Sequence, residues 1–81
     1  MRIVKYGSSW CGPCRLATKT LKDSGLAFED VDIDKNPDAM EDLAITRIPY
    51  IVFKDDNDNV VHTHVGALTS HGLSKIIENY G

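Results

Sequence analysis

Only two cysteines occur among 81 residues. That excludes a small secreted scaffold stapled by several disulfides, and it leaves no set of cysteines for a structural zinc site. His62 and His64 are two residues apart and do not have the spacing of a zinc-finger pair; with His71 they are expected at the surface, and no metal site is expected. Excess positive charge is missing as well: nine basic residues against twelve acidic give a net charge of −3, so neither nucleic acid nor an anionic membrane is expected as a partner. No apolar run approaches the length of a membrane span. The first residues, Met1 to Lys5, lack the apolar segment and small-residue cleavage site of a secretory signal. A reducing, cytoplasmic setting is therefore expected. Repeats, linkers and low-complexity stretches are also lacking, so one domain over residues 1–81 is expected.

What is present alternates between strand-like and helix-like patterns. Arg2 to Tyr6 reads as a short buried strand, and Gly7-Ser8-Ser9 as a loop. A helix follows to about Ser24, with Cys14, Ala17, Thr18 and Leu21 on one face and Gly25 as its stop. Ala27 to Ile33 reads as a second strand. Asn36 is the expected cap of a second helix, with Pro37 in its first position and Met40, Leu43 and Ala44 as its apolar stripe. Tyr50 to Phe53 and Val60 to Val65 read as a hairpin across the turn cluster Asp55 to Asn59, which lacks the central glycine and distal glutamate of a calcium loop. Thr69 is the expected cap of a last helix, with Leu68 and Leu73 as a hydrophobic staple and Ile76, Ile77 and Tyr80 on the same face. The order is βαβαββα, an α/β fold. Two right-handed crossovers are expected to make a parallel pair, the hairpin to complete a four-stranded mixed sheet, and three helices to cover both faces.

The chemistry concentrates in Trp10-Cys11-Gly12-Pro13-Cys14. The two cysteines are three apart and open a helix directly after a strand. At a helix N-terminus, unpaired backbone N–H groups and the dipole favour a thiolate on Cys11. Pro13 suits the first turn, where its missing N–H costs nothing, and Trp10 supplies a flat apolar collar. A disulfide across so short a loop stabilises little. As a redox couple the pair makes sense, and the chemistry indicated is thiol–disulfide exchange.

These residues resemble the thioredoxin family over essentially the whole chain, without that family's usual N-terminal strand and helix. The resemblance is carried by Trp10 to Cys14, by Asp32-Ile33-Asp34-Lys35-Asn36-Pro37, by Ile48-Pro49 before a strand, and by Val65-Gly66-Ala67-Leu68 before the last helix. It implies that Cys11 attacks and that Cys14 resolves the mixed disulfide. It also implies a cis Pro49, and a docking rim of Trp10, Ile33, Ile48, Val65, Gly66 and Ala67. No bound cofactor is implied, since NADPH enters only through a thioredoxin reductase. The expected partners are that reductase and protein disulfides, with ribonucleotide reductase among the recipients. Short redoxins that feed this enzyme are trimmed in the same way, as are some virus-encoded ones, for which the setting would be the host cytoplasm. A monomer is expected.

The chain departs from the family pattern at several points. Lys5 stands where the family carries a buried aspartate, and Asp30 aligns with its usual lysine partner; an ion pair with exchanged ends is expected beneath the cysteines. Asp30 would then relay the proton of Cys14, or the Lys5 ammonium would favour a thiolate directly. Gly7 replaces a tryptophan, which suggests a looser loop. Arg47 replaces a glycine and adds a positive charge to the rim, suited to an acidic partner or to glutathione carboxylates. Two alternatives remain open. One is a glutathione-dependent glutaredoxin, disfavoured because Gly66-Ala67-Leu68 lacks that family's second glycine and aspartate. The other is a non-catalytic module that clamps an extended peptide.

Overall fold

The computed structural model describes residues 1–80. Its elements are β1 (Arg2–Gly7), α1 (Gly12–Asp23), β2 (Glu29–Asp32), α2 (Asp38–Asp42), β3 (Tyr50–Lys54), β4 (Val60–Val65) and α3 (Ser70–Tyr80). The four strands form one sheet in the order β2-β1-β3-β4, the expected α/β architecture. β1 and β2 are parallel, and the other two pairings are antiparallel. Only the first connection is therefore a crossover. β2 ends with Asp32 opposite Gly7, and β3 begins with Tyr50 opposite Tyr6, at the same end of the sheet. The segment between them never needs to travel back to the far end, so β3 runs antiparallel to β1.

Strand alternation sorts the side chains to two faces. Ile3, Ile51 and Phe53 meet Ala17 and Leu21 of α1 and Leu73 and Ile76 of α3, with Leu68 completing the main core. Each of these is buried, and together they make the apolar contact that fixes α1 on the sheet. α1 ends at Asp23, and Gly25 takes the left-handed conformation (φ +76°) that a residue without a Cβ adopts freely. α3 starts as expected: the Thr69 hydroxyl accepts the Gly72 N–H at 3.0 Å, and Leu68 and Leu73 are buried.

The middle of the chain differs from expectation. β2 is four residues long rather than seven, and α2 is a five-residue helix with no buried residue. Leu43 lies exposed beyond its end, and Ala44 has φ +53°. The apolar stripe does not form; Ile45, just past the helix, is the buried residue of this stretch. Asn36 does not cap α2 either. Its side-chain amide donates to the Asp32 carbonyl at 3.0 Å, and the N-cap is Pro37. At the opposite end, Asp55 Oδ1 accepts the N–H groups of Asn57 and Asn59 at 2.9 and 3.0 Å, closing the β3–β4 turn. Those donors, Asn59 foremost, hold the Asp55 carboxyl below its ordinary value. No helix among the described residues is long and apolar enough to cross a membrane.

Candidate active site

The parallel β1–β2 pair and α1 bring the cysteine motif to one end of the sheet. β1 ends at Gly7, whose carbonyl accepts the Ile33 N–H at 2.9 Å, and the chain turns through Ser8 and Ser9 into α1. Cys11 is the N-cap residue of α1, with extended backbone angles (φ −90°, ψ 114°). Its sulfur takes the place of the usual capping oxygen, accepting the Cys14 N–H at 3.3 Å. A donor aimed at the sulfur, at the positive end of a helix dipole, stabilises negative charge there. Gly12 and Pro13 occupy the first turn and are exposed. Both cysteines are free thiols. Cys11 retains 8% of its surface and Cys14 none, so a visiting disulfide meets Cys11 first.

Burial pushes the Cys14 thiol up to about 11, and its hydrogen bond to Cys11 adds to the rise. The Ser8 N–H and the charge of Lys5 act in the opposite sense. Lys5 and Asp30 face each other in register across β1 and β2, with Nζ–Oδ1 at 2.8 Å. The exchanged pair is therefore present, but it is uneven: the lysine side chain is 4% exposed and the aspartate 48%.

The other expected site residues gather unequally. The Ile48–Pro49 peptide is cis, and the Pro49 carbonyl accepts the Gly66 N–H at 2.9 Å, tying the two rim loops together. Gly66 has φ +97°, a conformation that a side chain would strain. Val65 and Ala67 are exposed, and Ile48 is half-buried. Ile33 departs from expectation: only 6% of its surface remains, because the hydrogen bond to Gly7 draws its backbone in against β1. Arg47 is exposed and makes no ion pair among the described residues. Trp10 is 70% exposed and its indole N–H donates to Asp34 Oδ2 at 2.9 Å. Gly7 is buried, and a Cβ there would stand 2.9 Å from Cys14 Sγ.

Three contributors were not legible in the sequence. Asp34 anchors Trp10 and in turn donates its N–H to Asp32 Oδ1 at 2.9 Å. Thr20, not Thr18, is the buried threonine of α1, and its hydroxyl donates to the Leu68 carbonyl at 2.9 Å. His64 places Nε2 at 2.7 Å from the Ala67 carbonyl, which bridges β4 to the rim. Hydrogen bonds between distant segments leave no periodic trace, and only the Asp-x-Asp spacing of Asp32 and Asp34 hinted at a local turn. No cluster of three or more metal-ligating side chains occurs among the described residues.

Comparison with known proteins agrees with this geometry. The protein-family model described as thioredoxin matches residues 1–79. Thioredoxin of Chlamydia trachomatis is 33% identical over 86 residues, covering 96% of this chain and 80% of the relative. Thioredoxin of Listeria monocytogenes is 27% identical over 84 residues, covering 96% and 81%. Among solved structures, a mutant thioredoxin of Halobacterium salinarum superposes with a TM-score of 0.84 at 23% identity, over 98% of this chain and 73% of that one. Reduced Schistosoma mansoni thioredoxin gives 0.79 at 25% identity, over 99% and 78%. With the thioredoxin family model matching residues 1–79 and a dithiol seated at the head of α1, the chain belongs to the thioredoxin family of thiol–disulfide oxidoreductases.

Proposed function

We propose that this protein reduces disulfides of other proteins and is recharged by a thioredoxin reductase drawing on NADPH, with no cofactor of its own. The observation that carries this reading is the unequal dithiol: Cys11 caps the helix with a little surface left, and Cys14 lies one turn deeper with none. In the first step the Cys11 sulfur attacks one sulfur of the substrate disulfide. That disulfide breaks, its second sulfur leaves with the electron pair, and a mixed disulfide forms at Cys11. In the second, the Cys14 sulfur attacks Cys11 Sγ, the Cys11–substrate bond breaks, and the substrate departs as a dithiol while Cys11 and Cys14 become a disulfide. Two electrons pass from protein to substrate.

The substrate segment lies along the loops of Ile48, Pro49, Val65, Gly66 and Ala67, and the exposed Arg47 favours acidic segments. A ribonucleotide reductase fits as one recipient, because it must regain a dithiol after each turnover. The setting is the cytoplasm, where a reducing dithiol is sustained, and the protein acts as a monomer. The experiment is reduction of insulin disulfides, run in parallel with thioredoxin reductase and NADPH and with glutathione and glutathione reductase. Turnover in the first arm that falls to background in Cys11→Ser is expected. Turnover in the glutathione arm alone would overturn the choice of electron source, and full biological activity in a double Cys→Ser variant would overturn catalysis itself.

A further inference from the structure

Two-step exchange through Cys11 and Cys14 leaves one costly feature unused. Lys5 carries a positive charge into the protein while its partner carboxylate stays half in solvent. Burying an ammonium is expensive, and the surface end of the pair recovers only part of that cost. The cation lies beside the deeper thiol. A Cβ on Gly7 would meet Cys14 Sγ at 2.9 Å and Lys5 Nζ at 3.3 Å, so both atoms crowd one bare point of backbone. They also share the wall of a cleft of about 350 Å³ with Ser8, Arg15, Asp30 and Asp32. Ser8 Oγ in that wall is buried and has no hydrogen-bond partner among the described residues.

We propose that Lys5 is a positioning residue for the resolving step: its ammonium, held by Asp30, is the counter-charge for the anion that forms on Cys14. This rests on the assignment of Cys14 as the resolving thiol. In the step, the Cys14 S–H loses its proton to water and the resulting thiolate attacks Cys11 Sγ. The Cys11–substrate S–S bond breaks, and the leaving sulfur keeps the electron pair and takes up a proton. Lys5 gives and takes none; it acts by charge alone. Lys5 and Cys14 are themselves buried, and a charge beside a buried group is felt more strongly than one in water.

The groups facing Cys14 can be set against one another. Burial and the neighbouring Cys11 sulfur hold its proton on, whereas the Ser8 N–H and Lys5 help it off. Arg15 of α1 adds positive charge at the cleft wall; Asp30 and Asp32 of β2 oppose it, but Asp30 is paired with Lys5 and stands half in solvent. A carboxylate in place of Lys5 would repel the same thiolate. In this chain the deep end of the pair attracts it.

The test separates the two steps with dithiobis(nitrobenzoate), each of whose halves is released as a coloured thiolate. Attack by Cys11 releases the first and resolution by Cys14 the second. Lys5→Met and Lys5→Gln remove the charge; the glutamine variant keeps a donor for Asp30 and serves if the methionine variant does not fold. The first release should keep its rate. The second should slow about tenfold at neutral pH, and its pH profile should move up by about one unit. Lys5→Arg should restore both. An unchanged second release and pH profile in the uncharged variants would overturn the proposal, as would an arginine variant as slow as they are. Failure of the first release in the unaltered protein would instead overturn the assignment of Cys11.

Discussion

Two ion pairs join β1 to β2, and they share a geometry without sharing a role. Arg2 meets Glu29 at 2.8 Å at the far end of the sheet, and Lys5 meets Asp30 at 2.8 Å beneath the thiols. All three members of the first group, Arg2, Glu29 and Asp58, are more than half exposed. In the second, one member is almost wholly buried. Equal distances thus conceal unequal energetics. An exposed pair contributes between nothing and about 1 kcal/mol, because water screens it and ordering long side chains costs entropy. A buried charge stripped of its partner costs several times more. The first pair closes a sheet edge, and the second sets the field in which a sulfur must lose a proton.

Acidity should distinguish the two ends most sharply. The nucleophile of the resolving step is the thiolate, and burial, which persists when Cys11 is held in a mixed disulfide, raises the Cys14 thiol above its ordinary value. The thiolate fraction therefore rises with pH, so the second release from dithiobis(nitrobenzoate) should accelerate by about fiftyfold or more between pH 7 and pH 9. Breaking the exposed Arg2–Glu29 pair should leave that profile unmoved.

Removing the outer carboxylate is the next strongest challenge. Asp30→Asn leaves Lys5 buried without a counter-charge, and urea unfolding should show a loss of about 2–3 kcal/mol. Gly7→Ala sharpens the picture from the other side, since its methyl would press on Cys14 Sγ and Lys5 Nζ. A loss of about 1–2 kcal/mol is expected, with a slower second release. Glu29→Gln is the smallest perturbation: unfolding free energy should change by less than about 0.5 kcal/mol. If Glu29→Gln cost as much as Asp30→Asn, burial would not be what separates the pairs.

The two ends also differ in how far they could be read from residues alone. The Lys5–Asp30 pair was legible only through the family resemblance, which set Lys5 and Asp30 at the two positions where the family carries a pair of opposite order. The helix start at Cys11, the stop at Gly25 and the cap at Thr69 were legible for a different reason: each is a local rule about backbone groups. The short α2 was not. Met40, Leu43 and Ala44 have helical spacing, but the helix ends at Asp42 and the burial passes to Ile45. The direction of β3 was equally hidden, because it depends on which end of the sheet the chain has reached. The bonds from Thr20 to Leu68 and from Trp10 to Asp34 join segments far apart in sequence, and the His64–Ala67 bond spans an irregular bend. None of them alters a hydrophobic pattern.

The most direct measurement is a trap. Cys14→Ser, mixed with dithiobis(nitrobenzoate) and analysed by peptide mass, should hold one nitrothiobenzoate on Cys11 that persists until dithiothreitol is added. An adduct that fails to form at Cys11, or one released as fast as from the unaltered protein, would contradict a two-step exchange begun by Cys11 and completed by Cys14.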